Sequence, residues 1–206
     1  AIDARRPIGS LMKPFVYLVA LTDPSRWNLS TLIDDSPVAM RQPDGTMWTP
    51  QNDEHDVHGL VPMVDGLIHS WNLATIHLGM DVGVPRIKAF LESFGLQDVN
   101  PSPSLLLGAQ DLSPLQVAQL YQYIAADGHA LPLLAVRGVV DGDGRTIKRY
   151  EVKGGKGEYQ DAVRLTTWAM QQVVRSGTAA AIGNSSLGVL NAAGKTGTSN
   201  DQRDSW

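Results

Sequence analysis

Cysteine is absent from this 206-residue chain, which rules out disulfides, thiol catalysis and cysteine-ligated zinc while leaving the compartment open. Runs of five or more like charges are also absent, and the net charge is -4, from 17 Lys and Arg against 21 Asp and Glu. A nucleic-acid surface needs clustered Lys and Arg, so that class of partner is excluded. The longest uninterrupted apolar run is Phe15 to Leu21, far short of the roughly 20 residues that span a bilayer. No charged-then-apolar signal segment opens the chain, and the expectation is a soluble piece that needs no membrane contact. What is present is a 43% hydrophobic composition, enough for one sizeable core in a single domain.

Turn and cap chemistry outlines the elements. Gly9-Ser10 followed by Phe15, Leu18, Val19 and Leu21 predicts a helix with an apolar stripe; Pro14 fits only if that helix begins near Ser10, because proline is tolerated in a first turn and breaks the ladder deeper in. Ser10 is therefore expected at the positive end of a helix. Asp44-Gly45 and Asp143-Gly144 predict two hairpins, joining Val38–Met40 to Met47–Trp48 and Val136–Val140 to Thr146–Tyr150. Pro62 to Met80 reads as helix on both sides of an interruption at Ser70-Trp71-Asn72. Further helices are expected from Pro85 to Phe94, stopping at Gly95, from the capping box Ser113-Pro114-Leu115-Gln116 to Gly128, and from Asp161 to Ser176, stopping at Gly177. Lys153 to Gly157 reads as a surface loop, Leu187 to Leu190 as a turn, and Ala192 to Thr198 as a short edge strand.

Three polar clusters carry the chemistry. Ser10-Leu11-Met12-Lys13 sets a hydroxyl and an amine three residues apart on a helix, hence on one face, and a serine needs such a base to become a nucleophile. Lys13 can serve only if its amine is neutral part of the time, which burial or a neighbouring cation such as Lys195 promotes. Ser70-Trp71-Asn72 offers a hydroxyl that can relay a proton and an amide that can donate and accept at once, with Trp71 as packing. On a strand, Lys195-Thr196-Gly197-Thr198 alternates its faces; Gly197 permits close approach of an added peptide strand, and Lys195, Thr196 and Thr198 can hold its carboxylate. Read singly, each cluster also has an ordinary meaning: a solvated lysine beside a capping serine, a turn device, a plain surface strand. All three in this order arise by accident in about one such chain per thousand.

The set resembles the signature of the penicillin-recognising serine acyltransferases. Arg41-Gln42-Pro43-Asp44-Gly45, Trp48-Thr49-Pro50-Gln51-Asn52, Leu106-Leu107-Gly108-Ala109, Ser113 to Gln119 and Met170-Gln171-Gln172-Val173-Val174 extend the likeness, end to end, to the transpeptidase domain of bifunctional class A penicillin-binding proteins. The resemblance implies an α+β, β-lactamase/transpeptidase-like fold: a helical subdomain plus part of an antiparallel sheet, with flanking sheet strands missing. Residues 1–206 are thus expected to be one penicillin-binding transpeptidase domain, as a fragment truncated at both ends. It implies a D,D-transpeptidase in which Ser10, Lys13, Ser70, Asn72 and Lys195 are catalytic, Thr196, Gly197 and Thr198 bind substrate, and the N–H groups of Ser10 and Thr198 form an oxyanion hole. No metal or cofactor is implied. The implied partners are peptidoglycan stem peptides, β-lactams and, through a membrane-anchored parent, other cell-wall proteins on the periplasmic face of the cytoplasmic membrane.

Competing readings are weaker. Gly194-Lys195-Thr196 lacks the glycine at position 189 that a phosphate loop requires, and the Asp141-x-Asp143 segment lacks the later ligands of a calcium loop. His55-x-x-His58, beside Asp53, Glu54 and Asp56, reads as a solvated acidic loop rather than a metal site. A class A β-lactamase is disfavoured because none of Glu54, Glu92, Glu151 or Glu158 has Asn four residues on. A D,D-carboxypeptidase and a noncatalytic stem-peptide or β-lactam-binding module remain as alternatives.

Overall fold

The computed structural model describes residues 2, 4–42, 44–152, 154–155, 157–186, 190–198 and 205–206. The expected turn at 187–190 falls mostly outside these, as do Lys153 and Lys156 of the expected surface loop.

A short strand β1 (Arg6–Pro7) leads into a 3-10 turn, Gly9–Met12, that continues as α1 (Lys13–Leu21) with Pro14 in its first turn. Every residue of α1 is buried, Lys13 included. That explains the unbroken apolar run: a helix enclosed on all sides has no polar face to show. After β2 (Leu32–Asp34) comes the hairpin β3 (Met40–Arg41) and β4 (Met47–Trp48), then β5 (Leu60–Pro62). Helices α2 (Met63–Ile68), α3 (Asn72–Val82) and α4 (Val84–Glu92) follow. A second 3-10 turn, Pro103–Leu107, precedes β6 (Asp111–Leu112) and α5 (Pro114–Ala125). The chain continues through the exposed hairpin β7 (Gly138–Val140) and β8 (Thr146–Arg149), the long α6 (Gln160–Ser176) and α7 (Ala180–Gly183).

The helices form the body, with α1 at the centre against α3, α4 and α6. Phe15 meets Tyr121 of α5 edge-on at 5.2 Å between ring centroids, and the Tyr121 hydroxyl donates to Leu11 O at 3.0 Å, tying α5 to the turn that carries Ser10. The capping box at Ser113 is present in both directions. Among the described residues the strands make four separate two-stranded antiparallel pairs, β1·β6, β2·β5, β3·β4 and β7·β8. The two hairpins lie where turn chemistry predicts them. β1·β6 and β2·β5 join segments distant in the chain and have no local signal.

One expectation is corrected. Ala192 to Thr198 is not a regular strand: among the described residues its ladder is the reciprocal pair Gly197 N to Trp206 O (3.1 Å) and Trp206 N to Gly197 O (2.9 Å), with a bridge between Thr198 and Ser205. A strand exists only where a neighbour pairs with it, and among the described residues pairing reaches this segment only at its end. The alternation of an extended chain is nevertheless there, Lys195 and Gly197 buried, Thr196 and Thr198 more open.

Glycines let three segments meet behind Ser10. A Cβ on Gly9, which has φ +53°, would stand 2.3 Å from Thr198 O, and one on Gly108, at φ +76°, would stand 2.0 Å from Gly9 O. The Gly9 N–H donates to Gly108 O at 3.1 Å. Gly108→Ala should therefore destabilise the fold by at least about 2 kcal/mol, the left-handed penalty of roughly 1–2 kcal/mol plus displacement of the Gly9 backbone. Urea unfolding checks this; a variant within about 0.5 kcal/mol of wild type would show that this contact does not fix the Ser10 turn.

Candidate active site

Ser10 occupies the 3-10 turn at the head of α1, where residues three apart are eclipsed, and the Lys13 N–H bonds back to Ser10 O. The two side chains consequently stand on one face. Lys13 belongs fully to the protein interior, with 0% exposure, and Nζ is surrounded by oxygens: Ser70 O, Asn72 Oδ1 at 2.6 Å and Ser70 Oγ at 3.1 Å. Lys195 Nζ donates to the same Ser70 Oγ at 2.8 Å and to Thr196 O at 3.0 Å. Four of the five expected catalytic side chains thus join in one hydrogen-bonded cluster. Ser10 stands apart from it: among the described residues its hydroxyl makes no hydrogen bond, and neither its N–H nor that of Thr198 has an acceptor. Ser70 and Asn72 occupy the Lys13 amine.

Ser70 owes its position to how α2 ends. Ser70 N donates to Leu67 O at 3.2 Å and Trp71 N to Gly66 O at 3.0 Å, the paired bonds of a Schellman stop, in which the residue after the C-cap turns left-handed. Ser70 takes that place at φ +60°, where glycine is the usual occupant. The turn re-aims the chain so that α3 starts at once and both Ser70 and Asn72 face Lys13.

Electrostatics follow from burial. Loss of solvent pulls the Lys13 amine well below the ordinary lysine value, and the charge of Lys195 pulls the same way, against opposing Asp53 and Asp35. Lys195 is drawn down to about 8, again by burial, with Asp53 opposing. Lys13 Nζ donates to three oxygens, Ser70 O, Asn72 Oδ1 and Ser70 Oγ; in a neutral amine the two carbonyl oxygens would take both N–H groups and the lone pair would face the Ser70 hydroxyl.

A cavity of about 110 Å³ opens beside this cluster, lined by Ser10, Ser70, Trp71, Thr178, Thr196 and Thr198 together with Asn52, Asp53, Glu54, His58 and His69. Trp71 is the packing residue expected of it, stacked on His58 at 3.9 Å and on His69 at 5.1 Å. Gly197 is pressed against Leu11 and Ile8 O, which lays the Lys195–Thr198 segment along the Ser10 turn. Thr178, missed in the sequence, meets Thr196 hydroxyl to hydroxyl at 2.8 Å. Asp53, also missed, accepts from Asn72 Nδ2 at 3.2 Å; its only sequence signal is adjacency to the Trp48–Asn52 stretch. His55 and His58 bond Gln51 and Asp35, and no group of three potential metal ligands occurs among the described residues.

Comparison with known proteins gives one consistent answer. Residues 1–204 match the family described as the penicillin binding protein transpeptidase domain. The chain is 42% identical to penicillin-binding protein 1B of Escherichia coli strain K12 and 41% identical to penicillin-binding protein 1B of Vibrio cholerae, in each case over all of this chain and over 25% and 26% of the relative. It therefore spans about a quarter of the length of these curated relatives. Among solved structures, penicillin-binding protein 1A of Haemophilus influenzae superposes with a TM-score of 0.86 at 24% identity, covering 100% of this chain and 36% of that one. An imipenem acyl-enzyme complex of penicillin-binding protein A from M. tuberculosis superposes at 0.79 with 18% identity, covering 97% and 50%. These two likenesses show the fold.

The left-handed Ser70 yields a test within one position. Ser70→Ala and Ser70→Gly both delete the hydroxyl that Lys13 and Lys195 share, but only glycine relieves the backbone. Ser70→Gly is expected to be more stable than Ser70→Ala by about 1 kcal/mol, the reverse of the usual order inside an element. Paired urea titrations decide it; alanine equal or better would mean that the turn is unstrained.

Proposed function

The chain belongs to the penicillin-binding protein transpeptidase family, and from that premise we propose that it performs D,D-transpeptidation of peptidoglycan stem peptides through a serine acyl-enzyme. The observation that carries the reading is the single Ser70 hydroxyl held between two buried lysines, beside a free serine hydroxyl at a helix start. An arrangement of this kind costs desolvation of two amines, and acyl transfer is the chemistry that uses it.

In this reading Ser10 Oγ attacks the carbonyl carbon of the penultimate D-Ala as neutral Lys13 accepts the hydroxyl proton, directly or through Ser70. The carbonyl oxygen becomes an oxyanion held by the N–H groups of Ser10 and Thr198, the first reinforced by the helix dipole. Collapse breaks the peptide C–N bond, and the proton returns along Ser70 to the leaving amine of the terminal D-Ala. An amine of a second stem peptide then attacks the ester and gives a proton to Lys13, which passes it to Ser10 Oγ as the ester C–O bond breaks, restoring the free hydroxyl and the neutral amine. Lys195, Thr196 and Thr198 hold the substrate carboxylate, and Gly197 lets the peptide strand approach. β-Lactams acylate Ser10 by the same steps, with the ring amide in place of the scissile bond. Because the chain carries no Glu-x-x-x-Asn element to activate water, the β-lactam ester is expected to persist. The substrates lie outside the cytoplasmic membrane, so the reading assigns this segment to the periplasmic side of an anchored parent; no helix of the described residues is long and apolar enough to cross a membrane.

Two outcomes test the proposal. A fluorescent penicillin should add one covalent adduct that intact mass and peptide mapping assign to Ser10, and Ser10→Ala should abolish it; labelling that survives the substitution contradicts the assignment. Acylation rate should also follow a bell against pH. It rises as pH climbs through the lowered Lys13 value, since the base must be neutral, and falls above about 8, where Lys195 loses the charge that holds the carboxylate. A rate that keeps rising through pH 10 would contradict the role given to Lys195.

A further inference from the structure

Helix α3 begins at Asn72 with Trp71 at its N-cap and no side-chain cap of its own, although the first backbone N–H groups of any helix lack partners within it. The acceptors come from elsewhere in the chain. Asn52 Oδ1 takes Asn72 N at 2.7 Å and Leu73 N at 3.1 Å, and Asp35 Oδ1 takes Ala74 N at 2.9 Å. Both side chains are buried, Asp35 at 0% and Asn52 at 3% exposure. They hold each other: Asn52 Nδ2 donates to Asp35 Oδ2 and to Asp56 O, both at 2.8 Å, and Asp35 Oδ2 also accepts His58 N at 3.2 Å. Every hydrogen-bonding position of the Asn52 amide is therefore committed, and a flipped amide would set its nitrogen against N–H groups and its oxygen against a carboxylate.

The same segment grips Asn72 a second time. Gln51 O and Asp53 Oδ1 accept from Asn72 Nδ2 at 2.7 Å and 3.2 Å, which turns Asn72 Oδ1 toward Lys13 Nζ. Resting on the acyl-transfer reading, we propose that Asp35 and Asn52 are positioning residues: a buried pair that caps α3 in place of a local cap and so fixes Asn72 and the Ser70 turn against the Lys13 amine. Neither touches substrate. Their effect is to exclude water from Lys13 by holding its oxygen neighbours in register, and that exclusion is what keeps the amine unprotonated.

The distinguishing readout is the pH profile. The charged groups that face Lys13 are Lys195, Asp53 and Asp35; Asn52→Ala removes none of these side chains, and Asp35, though it loses one donor, keeps the His58 and Ala74 N–H groups and the His58 ring. In the full-length protein, Asn52→Ala is expected to lower the penicillin acylation rate per folded molecule by about 10- to 100-fold, with the ascending limb moving roughly half a pH unit or more toward high pH. Ser113→Ala, which removes the remote cap of α5, should leave the per-molecule rate and the limb as in wild type. If Asn52→Ala does not fold, Asn52→Ser, which keeps an acceptor near the helix start, is measured the same way and should lose about 3- to 10-fold in rate, with the limb moved in the same direction. A wild-type rate and limb in the folded Asn52 variant overturns the positioning role while leaving the acyl-transfer reading intact. Absence of any acylation in wild type overturns that reading itself.

Discussion

Lys13 and Lys195, both buried, reach for the same oxygen, the hydroxyl of Ser70. Two ammonium groups cannot share that oxygen at low cost, because each disfavours the other's charge and burial disfavours both. Lys13 is the less exposed of the two, and burial together with the charge of Lys195 pulls its amine well below the ordinary lysine value. The rest of the architecture keeps this unfavourable meeting in place. Helix α1 is enclosed on every side, so Lys13 has no route to solvent; the Schellman stop of α2 brings Ser70 back toward α1; and glycines at 9, 108 and 197 let the Lys195 segment lie directly on the Ser10 turn.

The division of labour among elements follows from what each must resist. The head of α1 carries Ser10 and Lys13 and the start of α3 carries Asn72; the proposed proton transfer needs their spacing held closely. The extended 195–198 segment is, in the proposed function, the surface against which a peptide lies, and among the described residues its ladder is the Gly197–Trp206 pair at its end. Between them, the Asp35–Asn52 pair spans the β2 end and the loop after β4 to reach the start of α3, so that one helix terminus is determined by two distant stretches of chain. A buried, fully satisfied polar network of this type has few alternative arrangements, which is how it confers precision.

Much of this was legible in the sequence for reasons of local chemistry. Ser113-Pro114-Leu115-Gln116, the glycines at 95, 128 and 177, and the two Asp-Gly turns announce element ends by mechanisms that act within a few residues. The three clusters were legible because their residue types and order are rare together. The strand expected at 192–198 failed because strand identity belongs to a pair, and a pattern within one segment cannot state where its neighbour is. β1·β6 and β2·β5 were unreadable for the same reason. Ser70 in a left-handed turn was hidden too, since glycine is the residue that announces such a turn. Asp35, Asn52, Asp53 and Thr178 matter only through contacts that the fold creates, so their roles have no local signature.

The claim at the centre is that burial, reinforced by the neighbouring Lys195, holds the Lys13 amine well below the ordinary lysine value, so that it can accept a proton. Carbon-13 NMR titration of the Lys13 side chain, assigned by comparison with a Lys13→Met variant, measures it directly. The account predicts a midpoint well below the ordinary lysine value of 10.5. A Lys13 signal that titrates with the surface lysines would contradict it.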